Sequence, residues 1–394
     1  MSGLKKSQPP EMGEVWVTHG ESRRPFMRGI LVHFLMSREI SFDDALHVAE
    51  MVRTQIHGAR EIDRSDLAGI VSDVVRKEFP DTSLQEVATP APIRVGLSRD
   101  ATPFSKGRLS QSLLASAIDP SDAFDAAREI ELALRRRGRT EISRAELRRL
   151  AHATLCERFG DRTGERYLCW RHYQEPERPV VILLGGTTGA GKTSVALEVA
   201  LRLGISRVLS TDSIRQVMRT LIPRELVPAL HVSSFDAHRE LPAAIDSESP
   251  AVDGFIAQAS AMSLGARAMI DRAVEENASL VLDGVPLAPG LLDVEGYRDV
   301  ADVMMVIVAR LDEEAFASHF ATRAERERRR ESQRYVENLD AILEIQNYIL
   351  GLADGHDIPI VDNVDLDSAV RRVIKHVVDT LREKGEIDFE ALLG

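Results

Sequence analysis

The chain has 394 residues, 44% hydrophobic and only 5% aromatic: enough apolar mass for two or three packed domains, but few rings on which bases could stack. Asp and Glu outnumber Lys and Arg by 62 to 50, so the formal charge is -12 and no global basic field favours nucleic acid. The two cysteines, Cys156 and Cys169, fit no zinc spacing and make no disulfide framework.

The N-terminal stretch MSGLKKSQPPEMGE has no apolar core, and the longest apolar runs, such as Val303 to Ala309, are of strand length. The expectation is a soluble cytoplasmic protein with no membrane span.

An internal repeat fills the first half, with modules expected at 14–90 and 91–173. Pro25-Phe26 answers Pro103-Phe104, Gly29 answers Gly107, Leu31 answers Leu109, and Asp44-Ala45 answers Asp122-Ala123. After a two-residue insertion Ile62 answers Ile142, Leu67 answers Leu147 and Phe79 answers Phe159. Each copy opens with a short β-type stretch, Val15 to Val17 or Ile93 to Val95, so each reads as a hairpin followed by about four helices. Helix starts are expected at Asp43 or Asp44, Asp63, Ser121 and Ser143. The proline-bearing stretch Pro80 to Pro92 and the segment Gln174 to Pro179 read as linkers.

In the third region, 178–394, strand and helix alternate. Apolar runs at Val180–Leu184, Arg207–Ser210, Ser279–Asp283, Val303–Ala309 and Ile358–Val361 are separated by helical segments. Strands that are apolar on both faces imply an α/β fold, a parallel sheet covered by helices, with ligands beyond the carboxyl ends of its strands.

The first of these strands runs into GGTTGAGKTS, a P-loop pattern with Gly186, Gly191, Lys192 and Thr193 at the required spacing. Glycines let backbone amides turn inward around phosphates. The candidate ATP cradle is Gly186, Thr187, Thr188, Gly189, Ala190, Gly191, Lys192, Thr193 and Ser194. Lys192 reaches the β- and γ-phosphates, Thr193 ligates Mg²⁺, and the following helix points its positive end at the anion. Gly204 ends that helix.

Strand two ends in STDSIRQVMR, which is expected to set Asp212 at the sheet edge beside the loop, as the group that orients an acceptor hydroxyl and takes its proton. Capping of the next helix is the competing role for this residue. Arg215 and Arg219, one helical turn apart, suit a carboxylate or phosphate on the acceptor. Strand three ends at Asp283, a carboxylate that can hold Mg²⁺ through water if it is not merely part of a turn. Ser233 and Ser234 are candidates for the acceptor site. In ATRAERERRRESQR, Arg323, Arg326, Arg330 and Arg334 are candidates for a lid over the moving phosphoryl, with Arg323 and Arg326 taken as catalytic, against the alternative of a solvated helix face.

These residues give a resemblance. GGTTGAGKTS, STDSIRQVMR, LVPALHVSSFDA, LDGVPLAPG, HFATRAERER, RYVENLDAILEIQNYIL and IPIVDN, in that order, resemble the 2-phosphoglycerate kinase family, and the two repeats resemble ATP-cone modules. At strand three the family pattern is glutamate followed by G-x-H; this chain has Asp283, with Pro286 at the histidine position. The resemblance implies a P-loop kinase-type fold preceded by two mainly helical ATP-cone-like modules. It also implies transfer of the ATP γ-phosphate to the 3-hydroxyl of 2-phosphoglycerate, with ATP and Mg²⁺ as cofactors. A small phosphorylated acid is then the substrate, and an adenine nucleotide is a candidate regulator at the modules. Homo-oligomerisation is left open. Two other readings also remain open: a kinase of the same fold for a sugar acid, a nucleotide or a nucleic-acid end, and a nucleotide-sensing regulator without catalysis.

Overall fold

The computed structural model of the chain describes residues 15–19, 22–36, 40–79, 93–96, 101–174, 177–241, 248–314, 316–318, 330–385 and 387–393. They form two compact units, Met1–Ala91 and Pro92–Gly394.

The first unit contains β1 (Trp16–His19), β2 (Ser22–Pro25), α1 (Arg28–Met36), α2 (Phe42–Gln55), β3 (Glu61–Asp63) and α3 (Arg64–Glu78). The repeat recurs at the start of the second unit: β4 (Arg94–Val95), β5 (Thr102–Pro103), α4 (Lys106–Leu113), α5 (Pro120–Arg136), β6 (Glu141–Ile142), α6 (Arg144–Phe159) and α7 (Asp161–His172). Both copies build the same small sheet, in the orders β2-β1-β3 and β5-β4-β6. In each the hairpin is antiparallel and the third strand is parallel, with Val17 opposite Ile62 and Val95 opposite Ile142. The periodicity hid that third strand, because two or three residues show no alternation.

Two of the expected helix starts shift. Ser41 caps α2 and Asp119 precedes α5, which puts Asp43, Asp44 and Ser121 inside first turns, where acids favour the positive helix end. Asp63 and Ser143 do cap, and Ser143 forms a reciprocal capping box with Glu146.

The rest of the second unit runs β7 (Val180–Gly185), α8 (Lys192–Leu203), β8 (Arg207–Ser210), α9 (Thr211–Leu221), α10 (Pro250–Glu275), β9 (Leu280–Asp283), β10 (Asp302–Ala309), α11 (Arg330–Glu337), α12 (Leu339–Gly355), β11 (Ile360–Asp362), α13 (Leu366–Lys384) and α14 (Phe389–Leu393). Among the described residues β7 to β11 form one parallel sheet in the order β11-β10-β7-β9-β8.

Alternate side chains of β7 serve opposite faces. Val180, Ile182 and Leu184 pack with α8 and α13; Val181 and Leu183 pack with α10. That double burial is why the run reads as unbroken apolar sequence. The first of these cores also takes in Ala115, Cys169 and Trp170 from the second repeat. Trp170 Nε1 donates to Leu203 O at 2.8 Å and Gln111 Nε2 to Leu201 O at 2.7 Å, so the repeat satisfies carbonyls at the C-terminal end of α8.

Among the described residues no helix is long and apolar enough to cross a membrane.

Candidate active site

The carboxyl ends of β7, β8 and β9 bring the chemistry together. β7 leads into the glycine loop, where Gly186 takes a φ of 131° and Gly191 a φ of 83°, both in the region that favours glycine. At Gly186 a Cβ would also strike the Val308 carbonyl of β10, so the loop can leave the sheet there only as glycine. α8 begins at Lys192 and stops at Gly204, which has a φ of 71°.

Lys192 is 7% exposed, and its Nζ donates to the Thr187 carbonyl at 2.7 Å. Burial pushes its ammonium down to about 8 from 10.5, against the carboxylates of Asp283 and Asp212, which favour the charge. Next to it the Thr193 hydroxyl donates to Asp283 Oδ2 at 2.7 Å. Asp283 ends β9 at 3% exposure, and its other oxygen, Oδ1, has no hydrogen-bond partner among the described residues. Burial raises the Asp283 carboxyl above its ordinary value; the Thr193 hydroxyl and Lys192 work the other way, and Asp212 adds to the rise. A buried carboxylate oxygen left bare beside a threonine hydroxyl at a helix start is a donor set that fits a hydrated divalent cation.

Asp212 lies in the first turn of α9. It is not the cap: Ser210 is, accepting from the Ser213 amide at 3.2 Å. The Asp212 side chain is 82% exposed and accepts from Arg215 Nη2 at 3.0 Å. Its strand, β8, is the sheet edge, with β9 between it and β7, yet its charge is felt at both Lys192 and Asp283.

Arg215 also donates to the Val232 carbonyl and so ties α9 to the segment that carries Ser233 and Ser234. Gln258 of α10 steadies the same segment, donating to Ala229 O at 2.6 Å and Val232 O at 3.0 Å. Ser233 opens a 3-10 segment, Ser234–Glu240, in which Ser234 is buried. Arg219 is exposed and donates to Gln216 Oε1 at 3.4 Å. Arg334 of α11 donates to buried Asp236 at 2.5 Å, and Arg239 pairs with the same carboxylate at 3.1 Å. Arg323 and Arg326 lie outside the described residues, as does the side chain of Arg330.

Three supporting residues carried no signal of their own in the sequence: Gln258, Asp236 and Asn363. Asp236 and Asn363 fall within motifs that were legible, LVPALHVSSFDA and IPIVDN, but only the fold shows what their side chains touch. Asn363 Nδ2 donates to the Ala190 carbonyl at 2.8 Å.

Comparison with known proteins adds the following. Residues 165–224 match the family model described as Zeta toxin. A 2-phosphoglycerate kinase from Pyrococcus horikoshii is 36% identical over 291 residues, 72% of this chain and 93% of that protein. The 2-phosphoglycerate kinase from Thermococcus kodakarensis is 35% identical over 283 residues, 72% of this chain and 95% of that protein. Among solved structures, a gluconokinase from Sinorhizobium meliloti 1021 aligns with 53% of this chain and 96% of that chain, at 16% identity and a TM-score of 0.30.

Proposed function

The chain belongs to the 2-phosphoglycerate kinase family, and from that premise we propose that it transfers the γ-phosphoryl group of ATP to the 3-hydroxyl of 2-phosphoglycerate, giving 2,3-bisphosphoglycerate and ADP. The observation that carries the chemistry is the meeting of Lys192, Thr193 and Asp283 at the glycine loop, within electrostatic reach of Asp212. The acceptor rests on the relatives, which are 2-phosphoglycerate kinases matched across nearly their whole length.

When bound, Mg·ATP supplies the electrophilic phosphorus and a divalent charge beside it. The chain's own part is positioning and electrostatics. The loop from Gly186 to Ser194 receives the polyphosphate on backbone amides. Lys192 exchanges the Thr187 carbonyl for phosphate oxygen, whose negative charge favours the ammonium that burial disfavours. Thr193 would hold the cation directly and Asp283 through water.

Asp212 orients the acceptor hydroxyl and takes its proton as the new O–P bond forms and the bond to ADP breaks. Its exposure lets that proton pass to solvent. Arg215, Arg219, Ser233 and Ser234 are the groups proposed to hold the acceptor's carboxylate and phosphate, Arg215 being already oriented by Asp212 and Val232. Arg323 and Arg326 are proposed to meet the charge on the moving phosphoryl.

The test is an acceptor screen with Mg·ATP and product identification by phosphorus NMR. The panel holds 2-phosphoglycerate, 3-phosphoglycerate, glycerate, a sugar acid and nucleotides. The expected result is fastest turnover on 2-phosphoglycerate with 2,3-bisphosphoglycerate as product. Turnover no better than on glycerate or nucleotides sinks this acceptor, and no phosphorylation of any acceptor sinks the kinase reading.

A further inference from the structure

We propose that Asn363 is a positioning residue for the phosphate cradle, holding the Ala190–Gly191 peptide so that the Gly191 N–H faces away from β11 and toward the nucleotide phosphates; this rests on the reading of residues 186–194 as the ATP cradle.

Asn363 follows β11 and is 5% exposed. Its place is fixed from both sides. Its own amide donates to the Ala309 carbonyl of β10 at 2.8 Å. Just behind it the Asp362 carboxylate accepts from the Leu311 amide at 3.2 Å, and just ahead Asp365 caps α13 through the Ser368 amide at 2.8 Å. From this rigid corner the side-chain amide crosses to the Ala190 carbonyl at 2.8 Å. The contact is also close at the next residue. A Cβ on Gly191 would collide with Asn363 Nδ2, so the asparagine lies against the loop and leaves no room for a side chain there.

The consequence follows from peptide geometry. A trans peptide is planar, and its C=O and N–H point in opposite directions. With the Ala190 oxygen drawn toward Asn363, the Gly191 N–H is turned the other way. Gly191 is one of the residues whose positive φ is needed to aim successive amides into an anion-binding concavity. Among the described residues that N–H has no backbone acceptor, whereas the Ala190 N–H donates to Thr187 O at 3.4 Å.

Among the described residues Asn363 is the donor that holds the buried Ala190 carbonyl, and without it that oxygen is left unsatisfied. The peptide can then rotate toward the arrangement in which its oxygen, not its N–H, faces the phosphates. Asparagine suits the task because it offers an N–H donor without a charge. An aspartate of the same shape presents only oxygens at neutral pH and would repel the carbonyl it replaces a bond to.

The experiment compares AMP and ADP binding by titration calorimetry, with Mg²⁺, in the full-length chain and in Asn363→Asp, with Asn363→Ala as the second variant should the first fail to fold. Steady-state kinetics follow the acceptor KM. Folding of each variant is read from its thermal unfolding.

The expected result is a selective loss. The ADP affinity falls by about tenfold, the scale of one hydrogen-bonded contact misdirected, while AMP affinity and the acceptor KM stay as in the unchanged chain. ADP binding equal to that of the unchanged chain overturns the proposal. Equal loss of AMP and ADP affinity overturns it too, since that marks a role at the nucleoside or in general packing. If the unchanged chain itself binds ADP no better than AMP, the cradle reading has failed and the role of Asn363 falls with it; that outcome is visible before any variant is made.

Discussion

Lys192 sits in conflict between two free energies. Burial disfavours its charge and pushes its pKa down to about 8, against the fields of Asp283 and Asp212, which favour the ammonium that donates to the Thr187 carbonyl. A residue kept for stability would have no reason to be a buried cation, because an apolar side chain of similar length removes the desolvation cost. Lys192→Met therefore separates the two roles. Turnover with Mg·ATP is expected to fall by at least about a hundredfold, the cost of losing one preorganised charge contact to the moving phosphoryl. The thermal midpoint is expected to stay level or rise. Steady-state kinetics and calorimetric unfolding on the same preparation check both directions, and a variant that loses stability but not turnover removes Lys192 from the chemistry.

At the scale of elements, how much the sequence disclosed depended on the physics that wrote it. The strand–loop–helix of β7 and α8 was legible to within a residue or so because three constraints coincide there: double-sided burial, glycine-only dihedrals and a helix stop at Gly204. Asp283 was legible as an acid closing an apolar run. What a linear reading cannot supply is strand order. β9 lies between β7 and β8, so Asp283, not Asp212, is on the strand next to the P-loop strand. Asn363 and Gln258 were invisible as site residues because a single polar residue carries no period, and their partners are 173 and 26 to 29 residues away in sequence.

α13 illustrates how an element's burial becomes a measurable quantity. Its apolar face, from Ala369 through Val373 and Val377 to Leu381, is buried under the sheet, and His376 is carried half-way in with it. Burial lowers the His376 pKa below 6.5, and the nearby carboxylates of Asp379 and Glu383 only partly offset that. Since the folded value lies below the unfolded one, the unfolded chain holds the extra proton between the two. Stability is therefore present above about 6.5 and is lost as pH falls from there toward the folded value. Urea unfolding at pH 7.5 and pH 5.5 should show a smaller loss on acidification in His376→Gln than in the unchanged chain; an equal loss would mean that His376 titrates alike in both states.

At the scale of the whole molecule, the two copies of the repeat differ in what they pack against. The first copy closes a core of its own, from Val15 and Leu35 through Val52 to Val75, within the unit that ends at Ala91. The second copy also has a core, but it accepts Phe389, Leu392 and Leu393 from the C-terminal segment and sends Ala115, Cys169 and Trp170 into the core beneath the parallel sheet. Arg166 grips Asp379 of α13 with two bonds at 2.7 and 3.0 Å, while Arg382 pairs with Glu165 and Arg371 with Asp119. The change of texture near residue 174 is thus a change along the chain, whereas in packing the two sides share one interior. The consequence is a pair of truncations with opposite outcomes. A chain of residues 92–394 keeps all of its cores and the whole site, and is expected to unfold cooperatively and to phosphorylate the acceptor at a rate close to that of the full chain. A chain of residues 174–394 loses the cover over α8 and α13 and the donors to Leu201 O and Leu203 O. Each large apolar side chain no longer buried costs about 1.5–3 kcal/mol, against a total stability of only about 5–15 kcal/mol for a domain. That shorter chain is expected to aggregate or to melt without a cooperative transition, as read by size-exclusion chromatography and calorimetry. A folded, active 174–394 would show that the second repeat is an appendage; failure of both truncations would show that the first copy, too, is needed to fold the catalytic unit.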